Sequence, residues 1–256
     1  MTAEAPIPFA STPRDAVADA TPDRAPRRPH AAAEPAGAGP TAPRPQGAGR
    51  RVVVFGATGS LGRHVVAAAL EEGWVVRAVA RRPERGLPRH PLLEPFAGDA
   101  LDPARVEAAV AGADAVICVL GAGRKGGLRA PGTRNIIAGM ARHGVRRLIC
   151  ESTLGVGDSR ANLNFLWRRI MFGLLLRPAF LDHEAQEAAV RASDLDWTIV
   201  RPAAFTDGPE TGEFRHGFGP EAEGLTLKIS RRDVARFILA QVGSDAHWRA
   251  APGLSG

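Results

Sequence analysis

From Arg51 onward, short apolar runs alternate with longer segments whose apolar residues recur at helical spacing. Residues 51–56, RVVVFG, form a continuous apolar run and read as a buried strand. In the segment that follows, Leu61, Val65, Val66, Ala69 and Leu70 share one helical face, which stops at Gly73. WVVRAVAR (74–81) is the second strand, and a further strand precedes AGDALDP (97–103). Pro103 opens a helix that ends at Gly112, with Asp102 placed to cap it. DAVICVLG (114–121), VRRLICES (145–152) and LDWTIVRP (195–202) are apolar strands. Helices 132–144 and 181–194 lie between them. LTLKIS (225–230) predicts a late strand and 231–243 a closing helix. Apolar strands separated by amphipathic helices predict an α/β fold: a Rossmann-type, doubly wound parallel sheet in one domain over 50–256.

Residues 1–49 are different material. They hold ten of the 21 prolines, mixed charges and no apolar period. Such a segment buries too little surface to offset its ordering entropy, so a disordered tail is expected. Its acidic residues Glu4, Asp15, Asp19, Asp23 and Glu34 argue against a transit peptide. No secretory signal and no apolar run of roughly 18 residues are visible, so no membrane span is expected. The two cysteines, Cys118 and Cys150, sit in strand-like runs and read as buried thiols in a reducing, cytoplasmic setting.

The formal charge is +6, carried almost wholly by arginine. These arginines are scattered, with no basic helix or basic–aromatic stripe, so nucleic acid is not expected as a partner. No HExxH, CxxC or GxSxG occurs, so no metal and no serine-hydrolase site is expected.

The candidate chemistry begins at GATGSLG (56–62). Gly56, Gly59 and Gly62 stand between an apolar strand and an amphipathic helix. In that context Gly56 permits a tight exit, Gly59 lets the backbone approach a pyrophosphate, and Gly62 lets the helix pack on the sheet. Free amides and the positive end of the helix dipole favour the anion. Thr58, Ser60 and Leu61 complete this candidate dinucleotide turn. Where NAD binders place a carboxylate on the ribose, strand two ends in Arg81 and Arg82. Two guanidinium groups suit a 2′-phosphate, so NADPH (NADP⁺) is the expected cofactor. Asp99 and Ala100 fall near the adenine. Leu120 and Gly121 fall at a strand's carboxyl end, where open α/β sheets bind ligands.

These motifs, with CEST (150–153), DHEAQEAAVRASDLDWTIVRP (182–202) and LKISRRDVARFILAQV (227–242), resemble the atypical short-chain dehydrogenase/reductases. The closer resemblance, over roughly 51–250, is to the biliverdin-IXβ/flavin reductase branch and its NmrA-like relatives. It implies an NADPH-dependent reductase acting on flat, conjugated acceptors such as flavins, linear tetrapyrroles or quinones. Standard family members use the tyrosine of a Tyr-x-x-x-Lys motif as proton donor, and this chain contains no tyrosine. A conjugated acceptor spreads the incoming charge and can take its proton from water, so the absence fits those acceptors. The resemblance places Ser152 beside the nicotinamide, His183 at the substrate pocket and Pro202 over the carboxamide. Ser152 and His183 are the candidate catalytic residues. His183 is a candidate relay because its ordinary pKa is near neutral. Glu151 is expected to point away from Ser152 by strand alternation and is left out of the site.

The reductase branch has a histidine in the loop after Pro202; this chain has Ala204 and Phe205. The resemblance forms the acceptor pocket from 152–215, with Phe165, Trp167 and Phe205 as stacking candidates. Core packing and a dimer surface are rival readings of 162–180, and a monomer or homodimer is expected. NmrA-like proteins imply an alternative, an NADP(H) sensor acting through a protein partner. A nucleotide-sugar epimerase is disfavoured because those relatives also rely on the tyrosine.

Overall fold

The computed structural model describes residues 49–256. The tail expected over 1–49 lies, but for its last residue, outside the described residues.

The valine-rich runs become the centre of one sheet. Its strands are β1 (Arg51–Phe55), β2 (Val75–Ala80), β3 (Leu93–Ala97), β4 (Ala115–Cys118), β5 (Arg147–Glu151), β6 (Asp196–Pro202), β8 (Arg215–His216) and β10 (Gly253–Ser255). Their spatial order is β3-β2-β1-β4-β5-β6-β10-β8. All pairings are parallel except β10 with β8. β7 (Ala204–Thr206) and β9 (Lys228–Ser230) pair in a separate parallel ribbon. The order reverses between β1 and β4, and that switch point opens a crevice at the strands' carboxyl ends.

Burial on both faces explains the unbroken apolar runs. Val52 and Val54 pack on one side with Val65, Val66 and Ala69 of α1 (Gly62–Glu71) and Val234, Phe237 and Ile238 of α5 (Arg231–Val242). Val53 and Phe55 face the other side. There they meet Val106 and Ala109 of α2 (Pro103–Val110), Ile136 and Met140 of α3 (Arg129–Arg142), and Val190 of α4 (Arg177–Arg191). Each buried Val, Ile, Phe or Met side chain contributes roughly 1.5–3 kcal/mol relative to exposure. Pro95 is tolerated in β3 because that strand is the sheet's edge and needs one ladder fewer. Cys118 and Cys150 face each other in register, buried as free thiols.

Several arginines are held within the fold. Arg201 is buried and bonds Glu187 through Nε and Nη2 at 2.8 and 2.7 Å, and Asp158 through Nη1 at 2.6 Å. This ties β6 to α4 and to the turn at Gly157–Asn162. Arg147 donates to the carbonyls of Gln241 and Asp196 and to the Thr198 hydroxyl. Both arginines brace the strands whose ends form the site.

The run 162–180 departs from a single reading. Its middle, Leu166–Leu175, is a wide π-type helical segment. Trp167 and Phe172 turn inward against the core, while Phe165, Leu166, Ile170, Leu174 and Leu175 are exposed. Among the described residues, no helix is long and apolar enough to cross a membrane.

Candidate active site

Two concavities lie at the carboxyl ends of the strands. The first is a groove of about 180 Å³ over the glycine turn. It is lined by Gly56, Thr58, Gly59, Arg81, Asp99, Ala100, Leu120 and Gly121, with Leu128 at one end. A Cβ on Gly56, whose φ is +86°, would meet the Val119 carbonyl at 2.4 Å, and one on Gly62 the Gly56 carbonyl at 2.1 Å. The turn is therefore closed to larger residues from inside the fold.

The same turn fits a pyrophosphate. Among the described residues, no hydrogen bond engages the amides of Thr58, Ser60, Leu61 and Gly62, and no side chain caps α1. Three other helices are capped from within. The Asp102 carboxylate accepts from Ala104 and Arg105 at the start of α2, as its place before Pro103 predicts. Asp182 caps α3, and Ser230 caps α5. Of the two helices without a side-chain cap, α4 opens with Pro178 in its first turn, and α1 follows the glycine turn, where a bound anion would supply the acceptors. Ser60, Leu61, Gly62 and Arg82 do not border the groove. Leu61 and Gly62 are buried in the helix–sheet contact, and Arg82 is exposed beyond Arg81.

The second concavity, of about 190 Å³, is mostly apolar. Leu154, Leu163, Trp167, Phe172, Leu176 and Phe205 form much of its wall, and Pro202, Ala203 and Ala204 one side. Trp167 and Phe172 lie 5.7 Å apart, and Phe172 stacks on Phe180 at 4.9 Å. Arg231 sits over the Phe205 ring at 5.1 Å and fixes it from behind. Phe165, a stacking candidate by sequence, lies outside this cavity at 69% exposure, because the π-type turn carries it to the outer face. Leu227 borders the cavity with a left-handed backbone (φ +57°) and its carbonyl accepts the Ala204 amide.

The polar end of the cavity holds Glu151, Ser152, Thr153, His183 and Arg129. Ser152 is 1% exposed. Its amide donates to the Val200 carbonyl, but its hydroxyl has no partner among the described residues, so it does not serve to satisfy the strand end. Glu151 joins Ser152 here, against the alternation argument. The cavity lies over the end of β5, so residues from both sides of the strand reach it. Burial pushes the Glu151 carboxyl up to about 8, although Arg129 nearby favours its ionised form. It is a neutral acid at neutral pH.

His183 has a different character from the expected relay. α4 starts at Arg177, with Pro178 in its first turn, so His183 sits deeper in the helix than the sequence suggests and is buried. Burial first, and Arg129 second, hold its pKa down to about 3. It enters the site as a neutral ring whose Nδ1 has no partner among the described residues. Its neighbour Asp182 accepts from the amides of Leu128, Arg129 and Ala130 at 3.1, 2.9 and 3.0 Å, which locks α3 to α4. Burial opposes the Asp182 charge, yet those three amides hold its carboxyl below the usual range.

Sequence reasoning missed Arg129. One signal was available: a cation in the first turn of a helix opposes the helix dipole and calls for a compensating reason.

A glycine turn with free amides at the switch point of a parallel sheet defines a Rossmann-type dinucleotide-binding protein. The chain belongs to the NAD(P)H-binding family, whose model matches residues 56–245. It is 30% identical over 213 residues to the (4-alkanoyl-5-oxo-2,5-dihydrofuran-3-yl)methyl phosphate reductase of Streptomyces griseus, covering 80% of this chain and 67% of that protein. Among solved structures, it is similar to ChuY, an anaerobillin reductase from Escherichia coli. That match has 27% identity and a TM-score of 0.65, covering 80% of this chain and 96% of that one. A short-chain dehydrogenase/reductase from Veillonella parvula in complex with NADP shares the fold at 18% identity. Its TM-score is 0.69, covering 81% of this chain and 94% of that chain.

Proposed function

We propose that the protein is an NADPH-dependent reductase that passes hydride to a conjugated acceptor seated in the apolar cavity. The observation that carries this reading is the closeness of the two linings: consecutive residues, Leu128 and Arg129, border the groove and the cavity respectively. A cofactor along the groove would end where an acceptor in the cavity begins. The reductase names of the Streptomyces and Escherichia relatives support the same class of reaction.

NADPH, when bound, supplies the hydride. The chain's own residues hold, orient and protonate. The unbonded amides of Thr58, Ser60, Leu61 and Gly62 take the pyrophosphate, and Arg81, which borders the groove at the end of β2, takes the 2′-phosphate. Trp167, Phe172 and Phe205 orient a planar ring and exclude water from one face. The Ser152 hydroxyl is free to donate to an acceptor oxygen or to the carboxamide. Glu151, protonated at neutral pH, gives its proton to the anion that hydride addition leaves, and regains it from solvent. The missing tyrosine thus has a substitute of different chemistry, and water need not be the acid.

The test is to mix the purified protein with NADPH or NADH and with FMN or simple quinones, and to follow nicotinamide absorbance. Turnover is expected, with NADPH preferred. Arg81→Ala is expected to raise the KM for NADPH roughly tenfold or more while moving that for NADH little, consistent with loss of one charge-assisted pair. Tight NADPH binding with no turnover on any acceptor would sink the reductase reading and favour an NADP(H)-sensing role.

A further inference from the structure

Arg129 is a cation whose guanidinium makes no ion pair among the described residues. Its Nε and Nη1 are buried and have no hydrogen-bond partner among the described residues. No carboxylate there forms an ion pair with it: Asp182, whose charge acts on it, uses its oxygens on the backbone amides of Leu128, Arg129 and Ala130. The other acid at the cavity, Glu151, is buried at the same polar end without any hydrogen bond that would fix it to Arg129. The helix dipole of α3 opposes the cation as well. Arg129 is half-buried, and two of its guanidinium donors are shut off from water without an acceptor, a cost that a bound anion would recover.

The phosphates of a dinucleotide are accounted for elsewhere, by the free amides of the glycine turn and by Arg81. Arg129 borders the acceptor cavity instead, together with Trp167, Phe172 and Phe205. We infer that the acceptor is a planar conjugated molecule carrying a carboxylate or phosphate, and that Arg129 binds this anionic group. The inference rests on the reductase reading for the acceptor's role, but the anion site itself is a statement about binding. A guanidinium offers a planar fork that matches either anion with two parallel hydrogen bonds. Glu151 and His183, both neutral at neutral pH, do not compete for the fork, and the ionised Asp182 is held on backbone amides.

Riboflavin and FMN make a direct probe pair, because they share one ring and differ by a phosphate. Binding is followed by flavin fluorescence in the presence of NADP⁺, and turnover by NADPH oxidation. The wild type is expected to bind FMN at least tenfold more tightly than riboflavin, with the same bias in kcat/KM. Arg129→Gln is expected to bring the ratio close to one, and Arg129→Lys to keep an intermediate ratio, since a point charge replaces the fork. NADPH titration of each variant, with its melting temperature, accompanies the series. Equal affinity of the wild type for the two flavins, or an Arg129→Gln variant that keeps the FMN bias, overturns the inference. So does a variant whose main loss is in NADPH affinity, which would assign Arg129 to the cofactor. A flavin bias in binding with no turnover on flavins or quinones leaves the anion site standing and removes the reductase reading. Turnover without bias does the reverse.

Discussion

Glu151→Gln is expected to lower kcat by about 10²–10⁴-fold, the usual worth of a positioned general acid. The substitution keeps shape and hydrogen-bonding capacity but removes the proton that can be given away. The wild-type rate should hold through neutral pH and fall above about 8, where Glu151 loses its proton. The variant should lose that alkaline limb. Stability moves the opposite way, and its sign follows from the same carboxyl. In the unfolded chain Glu151 ionises near its ordinary 4.5, whereas burial keeps it protonated in the fold to about 8. Between those values the folded state binds the extra proton, so the group makes the wild type less stable as pH rises through the window. Glutamine does not titrate, so the variant's melting temperature should gain on the wild type between pH 5 and pH 8. A slower but more alkali-stable protein is the signature of an acid held in an apolar site at the fold's expense. Activity within threefold of wild type, with the alkaline limb intact, would remove Glu151 from the chemistry.

The parts of this molecule legible in the sequence are those set by local rules. A run such as Val52–Phe55 announces a strand buried on both faces, and the Asp102-Pro103 pair announces a cap and a first turn. The groove residues Gly56, Thr58, Gly59 and Arg81 follow from the strand–turn–helix around them. The cavity is different because it is made where elements stop. Alternation places Glu151 away from Ser152 while the strand runs, and the prediction fails at the residue where β5 ends. His183 looks like a first-turn residue only if the helix starts at Leu181. Its start at Arg177 is what buries the ring and takes it out of the titrating range. Phe165 and Trp167 are two apart in one apolar run, and only the π-type turn separates the outward ring from the inward one. Arg129 acquires its meaning from Asp182, fifty-three positions on, whose carboxylate ties down its amide and leaves its guanidinium unpaired. Long-range contacts of this kind leave no period for a sequence reading to find.

Gly62→Ala tests the donor side as sharply as Glu151→Gln tests the acid. The added methyl would sit 2.1 Å from the Gly56 carbonyl oxygen, 2.9 Å from its carbon and 3.0 Å from the carbonyl carbon of Ala57. All three are backbone atoms, so no side chain can swing aside. The helix must back away from the turn or the turn must open. Either movement displaces the unbonded amides of Thr58, Ser60, Leu61 and Gly62, and it lifts Leu61, Val65 and Val66 from the sheet. Overpacking of this kind costs roughly 1–3 kcal/mol of stability. The larger expected effect is on the cofactor: NADPH affinity should fall by about 100-fold or more, since several charge-assisted bonds share one geometry. Gly219→Ala is the control, because nothing lies within 4 Å of its added carbon and its backbone is ordinary. Fluorescence titration with NADPH, beside a thermal melt of each variant, separates the two costs. A folded Gly62→Ala protein that binds NADPH within threefold of the control would show that the pyrophosphate does not rest on this turn.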